Sequence, residues 1–169
     1  MRLEASCHCG AVSFVCNSVA PRPFMHCYCS ICRKTAGGGG FAINLHADAE
    51  SLHVTGGEHI TVYRAYTDFP ARHERSPGER RFCRQCGSCL WVWDPRWPEL
   101  IHPFASAVDT PLPTAPERDH IMLDHAPDWV PVPESGGDRH FGAYPDQSLV
   151  DWHASRGLLE GSGGAGSAS

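Results

Sequence analysis

Residues 27–34 read Cys27-Tyr28-Cys29-Ser30-Ile31-Cys32-Arg33-Lys34, and the glycine run Gly37 to Gly40 follows. Three thiols within six residues can turn onto one point, with two cations beside them. A zinc ion takes thiolates at ~2.3 Å in tetrahedral geometry, and a site with three protein ligands keeps its fourth position open. Two further groups flank this run, Cys7-His8-Cys9-Gly10 before it and Cys83-Arg84-Gln85-Cys86-Gly87 after it. Cys7, Cys9, Cys83 and Cys86 together make a complete four-thiolate set, the closed arrangement of a structural zinc. The spacing therefore predicts two zinc sites per chain, one closed and one open, the second held by Cys27, Cys29 and Cys32.

The bulk properties bound the rest. A chain of 169 residues is the size of one ordinary domain, expected over residues 1–160. Residues 161–169 are Gly, Ser and Ala only, a composition that predicts a disordered tail. Seventeen glycines and fourteen prolines favour many turns and short elements over long helices, which predicts a mainly β chain with few short helices. A net charge of −5 argues against nucleic acid as a partner, because phosphate backbones are held by an excess of lysine and arginine. The N-terminal Met1 to Ser6 shows no secretory pattern, and no apolar run reaches the length of a membrane helix, so no membrane partner is expected. A cytoplasmic location is therefore expected, where thiols stay reduced and close cysteine spacings mean metal or catalysis rather than cross-links.

Along the chain, residues 11–16 read as a strand leaving the first knuckle, with Cys16 filling core. A short turn or helix is predicted over Ser30 to Ala36, then strands at Phe41 to Leu45, His53-Val54 and Ile60 to Tyr66. Residues 68–81, with Pro70, Pro77 and Gly78, read as a polar loop. Its arginines, Arg72, Arg75, Arg80 and Arg81, are either solvated or line a pocket for an anionic ligand. Leu90 to Trp93, Ile101 to Val108 and His120 to Leu123 read as further strands, with a proline-rich linker at 110–116. Leu149, Trp152, Leu158 and Leu159 fit one amphipathic helix within 146–159, capped by Asp146 or Ser148.

Three cysteine groups in this order carry a family resemblance. Cys7-His8-Cys9-Gly10-Ala11-Val12, Cys27-x-Cys29-x-x-Cys32-Arg33-Lys34 and Arg81-Phe82-Cys83-x-x-Cys86-Gly87-Ser88, with His120 opening a late strand, resemble the glutathione-dependent formaldehyde-activating enzyme family, which also contains centromere protein V. The resemblance spans roughly residues 5–130. It implies a small complex fold of several coiled β-sheets with zinc knuckles, similar to the exchange chaperone Mss4. It also implies a structural zinc at Cys7, Cys9, Cys83 and Cys86, and a catalytic one at Cys27, Cys29 and Cys32. Two positions depart from the family pattern. Tyr28 stands where the family often has His, and Cys89 where it usually has Pro. Cys89 is either a buried neutral thiol or a competing ligand.

The resemblance implies a carbon–sulfur lyase-type enzyme acting on a small thiol adduct, S-hydroxymethylglutathione, formed from formaldehyde and glutathione. The residues suit that task, since a zinc with three thiolates can take a fourth and lower its pKa. They suit hydrolysis poorly, because three thiolates weaken the metal as a Lewis acid. A deaminase is set aside: no Pro precedes Cys29 or Cys83, and the H/C-x-E element is missing. His26 and His120 are candidate helpers at the site, each with a structural role as the alternative. Arg33, Lys34, Arg80 and Arg81 are candidates for holding an anionic thiol such as glutathione. Gly37 to Gly40 offers either backbone donors beside the metal or a plain turn. The competing class is a zinc-stapled binding or scaffold module without catalysis, or a related enzyme with another small substrate. A filled fourth position at the second site would favour the scaffold.

Overall fold

The computed structural model describes residues 1–114 and 117–159. The expected tail at 161–169 lies outside the described residues, as does part of the 110–116 linker. In chain order the strands are β1 (Arg2–Ser6), β2 (Ser13–Asn17), β3 (Phe24–Cys27), β4 (Ala42–Asn44), β5 (Ala47–Asp48), β6 (His53–Thr55), β7 (Ile60–Tyr66), β8 (Arg75–Cys83), β9 (Cys89–Trp93), β10 (Leu100–Pro103), β11 (Arg118–Ile121) and β12 (Asp138–His140). Two short helices accompany them among the described residues, α1 (Ser30–Thr35) and α2 (Leu149–Ala154). The architecture is mainly β, as the composition and the resemblance implied.

Three sheets form. The first runs β1-β2-β6 and is antiparallel. Its strands alternate, so Leu3 and Ala5 of β1 and Phe14 and Cys16 of β2 turn inward. They pack on Leu90, Trp91 and Ile101 of the second sheet, β5-β10-β9-β8-β7, with the Phe14 and Trp91 rings 4.8 Å apart. Full burial of each large side chain there contributes about 1.5–3 kcal/mol. Cys16, 1% exposed, is a core residue as expected.

The third sheet, β12-β11-β3-β4, places β3 between β11 and β4. β11 runs parallel to both β3 and β12, so strands distant in sequence meet side by side. Its apolar cluster, with Cys27, Cys32, Ala42, Phe104 and Ile121 at the centre, is separate from the first core.

Several expectations need correction. The polar stretch 68–81 is a loop only in its first half; from Arg75 onward it is β8, the longest strand. Its inward positions are Ser76, Gly78 and Arg80, so small and charged residues stand where alternation normally shows apolar ones. A Cβ at Gly78 would lie 2.8 Å from Asp94 Oδ2, which is why the position is small. Pro77 is tolerated because β9 pairs only from Glu79 onward, and β7 carries an irregularity between Arg64 and Tyr66. The strand expected over 101–108 ends at Pro103 and gives way to a 3₁₀ turn at Ala105–Ala107. The late strand spans Arg118–Ile121, and Leu123 already belongs to another 3₁₀ turn. The last helix is confined to Leu149–Ala154, with Ser148 as its cap accepting from the Asp151 amide.

Candidate metal centres and their surroundings

Two cysteine groups come together, and each has the sulfur spacing a metal needs. Cys7, Cys9, Cys83 and Cys86 have all their sulfurs within 4.8 Å of one another, as do Cys27, Cys29 and Cys32. In the first group Cys7 Sγ lies 3.5 Å from Cys9 Sγ, and Cys9 Sγ 3.7 Å from Cys83 Sγ. Tetrahedral zinc with ~2.3 Å bonds requires sulfurs ~3.8 Å apart, so this donor set fits such an ion. The group is built from two matching turns. Gly10 N–H donates to Cys7 O at 3.0 Å and Gly87 N–H to Cys83 O at 2.9 Å, with φ of 76° and 75° at the two glycines. That left-handed backbone, not a shortage of space, selects glycine there. The amide that reaches a sulfur is Val12 N–H, 3.2 Å from Cys7 Sγ. The Ser88 hydroxyl, then amides of Ser88 and Cys9, draw the Cys86 pKa down to about 5. Since Cys7 follows β1 and Cys83 ends β8, the group ties the first sheet to the second.

The three-cysteine group sits where β3 ends and α1 begins. Cys27 is the last residue of β3, Cys29 caps α1 by accepting from Cys32 N–H at 3.3 Å, and Cys32 is one turn in. Hydrogen bonds from the Cys27 and Cys32 side chains, then amides of Cys32 and Ile31, hold the Cys29 pKa well down. The hydrogen bonds to Cys29 and Cys32 push Cys27 far up. Arg80, buried on β8, brings Nη2 to 3.8 Å from Cys32 Sγ and sets a fixed positive charge beside the thiolates. Cys89 stands near but outside the group. Its thiol donates to Thr35 O at 2.6 Å, and burial pushes its pKa up to about 11. Among the described residues no fourth His, Cys or carboxylate joins the three sulfurs.

Tyr28 lies behind the sulfurs, fully buried between two ligands in sequence. Its hydroxyl is 2.8 Å from His120 Nδ1, and His120 Nε2 faces Asp138 Oδ2 at 3.5 Å. Arg118 clamps Asp138 with two bonds of 2.8 Å and holds its carboxyl well below the usual carboxylate range. Burial keeps His120 below the ordinary histidine range. His26 and His140 occupy the positions on either side of His120 in the parallel sheet. The His140 ring stacks on His120 at 4.9 Å, and His26 on Phe41 at 4.9 Å. His26, pushed down to about 4 chiefly by burial, is neutral and packed rather than presented to solvent. Tyr28 entered the sequence analysis only as a departure from the family pattern, and Asp138 not at all. The matching tripeptides Arg118-Asp119-His120 and Asp138-Arg139-His140, complementary in charge, were the available signal.

In front of α1 is a groove of about 280 Å³ lined by Ser30, Ile31, Lys34 and Thr35 of the helix, Tyr63, Ala65 and Tyr66 of β7, and Phe69 and Arg72 beyond it. Lys34 Nζ and Arg72 Cζ both lie over the Phe69 ring, at 5.1 and 5.4 Å. The other cations named from sequence are placed differently. Arg81 pairs with Glu79 at 2.7 Å, Arg75 with Tyr66 Oη at 2.8 Å, and Arg33 is half-buried outside the groove lining. Gly37 to Gly40 is a turn, with Gly40 N–H donating to Gly37 O at 3.0 Å. A Cβ at Gly40 would collide with Val130, so the run is fixed by packing.

The family model described as glutathione-dependent formaldehyde-activating enzyme matches residues 2–124 of this chain. A protein of Halomonas elongata named "Putative glutathione-dependent formaldehyde-activating enzyme" is 59% identical over 161 residues, which cover 95% of this chain and 100% of that protein. A crystal structure of a Rhodobacter sphaeroides protein is 29% identical, covers 67% of this chain and 92% of its own, and superposes with a TM-score of 0.48.

Proposed function

The chain belongs to the glutathione-dependent formaldehyde-activating enzyme family, and on that premise we propose that it forms a carbon–sulfur bond between formaldehyde and a small thiol, glutathione, at the three-cysteine group. One observation carries the reading: Cys27, Cys29 and Cys32 converge with no fourth protein ligand among the described residues, while the other group has its full four. Cys27, Cys29 and Cys32 would hold a zinc ion, which would supply a seat for a fourth thiolate and lower that thiol's pKa toward neutral pH. The sulfur lone pair forms the new bond to the formaldehyde carbon. The C=O π pair moves to oxygen, which takes up the proton the thiol gave away.

The chain's own residues hold the rest of the thiol compound. Glutathione carries two carboxylates and one ammonium, and the groove beside α1 offers Lys34 and Arg72 over an aromatic floor. Lys34 is five residues beyond Cys29, ~7.5 Å along a helix axis. A cysteinyl-glycine segment spans ~7 Å when extended, a match to that axial distance, although the three cysteines do not themselves line the groove. Arg80 offsets the negative charge that a fourth thiolate adds beside Cys32.

Native mass spectrometry of protein purified without chelator tests the reading. Two zinc ions per chain are expected, with glutathione adding to or removing only the one that Cys29→Ser eliminates. Exchange NMR should show faster formation of the hydroxymethyl adduct with the enzyme than without it. One zinc per chain, or two that ignore the thiol, overturns the glutathione reaction and leaves a zinc-stapled scaffold.

A further inference from the structure

The residues behind the three-cysteine group form a continuous line. Tyr28 sits between ligands Cys27 and Cys29, so wherever its ring is held, the two flanking sulfurs are held as well. Its hydroxyl reaches His120 Nδ1 at 2.8 Å. On the other side of that ring, His120 Nε2 meets Asp138 Oδ2 at 3.5 Å, and Asp138 is clamped by Arg118. Tyr28 and His120 are fully buried, and the side chain of Asp138, a half-buried residue, is itself 1% exposed, so water competes little for these contacts.

The protonation pattern follows from the partners. A carboxylate held by a two-pronged guanidinium stays ionised and can only accept. Asp138 Oδ2 stands 3.5 Å from His120 Nε2, a charge contact rather than a formed hydrogen bond, and its charge draws the imidazole proton to Nε2, leaving the Nδ1 lone pair facing the Tyr28 hydroxyl. The imidazole cannot turn without losing both contacts, and it is packed between rings, with His26 at 5.0 Å and His140 at 4.9 Å. Strand pairing makes the whole arrangement rigid. β11 lies in register with β12, and Asp119–Arg139 at 2.6 Å repeats the Arg118–Asp138 pair in reverse order. Backbone contact adds a second tie, as Tyr28 N–H donates to Ile121 O at 3.1 Å.

We infer that Tyr28, His120 and Asp138 are positioning residues that fix the three-thiolate loop from behind, so that its metal is retained in a set geometry. None of them touches the substrate in this scheme. A phenol serves here because it spans the distance from the loop to the buried imidazole and can donate only in one direction. Partners of this kind, acting through the ligands, typically alter metal affinity by about ten- to a hundredfold.

This rests on the reading that the three thiolates hold a metal, and the test separates the two. Zinc release to a competing chromophoric chelator is followed for the full chain, with the four-thiolate zinc as internal reference. Tyr28→Phe, which removes one oxygen atom, is expected to release the three-thiolate zinc about ten- to a hundredfold faster, leave the reference zinc unchanged, and lower the urea midpoint of the loaded protein only as far as the loss of one buried hydrogen bond does. His120→Ala should behave alike, and His120→Asn, whose side-chain oxygen can stand near the Nδ1 position, should recover most of the retention. If His120→Ala does not fold, Tyr28→Phe alone decides. Equal release rates in Tyr28→Phe and parent, or both zinc ions loosened together, overturn the inference. A parent protein with a single zinc overturns the proposed function first, and the positioning role with it.

Discussion

Cys89 bears on whether the second site is open. Its thiol lies 2.6 Å from Thr35 O and burial raises its pKa to about 11, which favours the neutral thiol over the competing ligand. Cys89→Ser should therefore keep two zinc ions per chain, whereas Cys29→Ser keeps one; metal analysis of both variants checks this. At the groove, Lys34→Ala and Arg72→Ala should each raise the KM for glutathione about tenfold with kcat little changed, the equivalent of ~1.4 kcal/mol for one charge-assisted contact. Steady-state kinetics reads the split. All seven cysteines of the two clusters that could hold a metal were legible as residues, because thiol spacing is a local property of the chain. The arginines were not. Arg72, Arg75, Arg80 and Arg81 look alike in sequence, and only strand register sends Arg80 to Cys32 and Arg81 to Glu79.

Among the elements, β12 is three residues long and is held to β11 by reciprocal ion pairs rather than by apolar area. Asp119→Asn should cost about 2 kcal/mol, read by urea unfolding, since Asp119 is buried and accepts two bonds from Arg139. No alternation marks such a strand, and that is why β12 was missed while Ile60 to Tyr66 was found. β8 was half missed for a related reason: its inward face carries serine, glycine and arginine. The last helix docks through a pair of histidines. His46 Nε2 and His153 Nε2 are 2.8 Å apart, and His153 Nε2 also lies 2.8 Å from Arg22 O, so His153 supplies the proton and His46 the lone pair. Burial first, then the nearby His153 and His102, push His46 down to about 3 from an ordinary 6.5. Above pH 6.5 this pair contributes fully. As pH falls below 6.5 the unfolded chain takes up a proton that the folded one refuses, and stability declines progressively toward pH 3. Urea midpoints measured from pH 7 to 4 should fall, and His46→Leu should flatten that slope.

The described residues hold two separate apolar clusters, and each has a cysteine group at its margin. The four-cysteine group joins residues 74 positions apart and ties two sheets, so a metal held there would contribute to folding directly. Stripping both metals with a strong chelator at neutral pH should lower Tm by more than ~10 °C, in calorimetry, and zinc alone should restore it. Sheet class and knuckle order were readable because composition and cysteine spacing constrain them. The joining of β3 to β11 was not, since parallel pairing between distant strands leaves no mark in either stretch.

That pairing has a consequence at the ribosome. Tyr28 emerges early, but its partner His120 comes 92 residues later. At ordinary translation speeds the interval is about 5–20 s. Residues 7 to 86 can close the first knuckle pair within that time, while Cys27, Cys29 and Cys32 have no β11 beside them. A nascent chain halted after Asp109 should accordingly hold its first metal firmly and its second loosely. Oxidants and misplaced metal ions meet the reactive thiols of this family member most freely before its synthesis is complete.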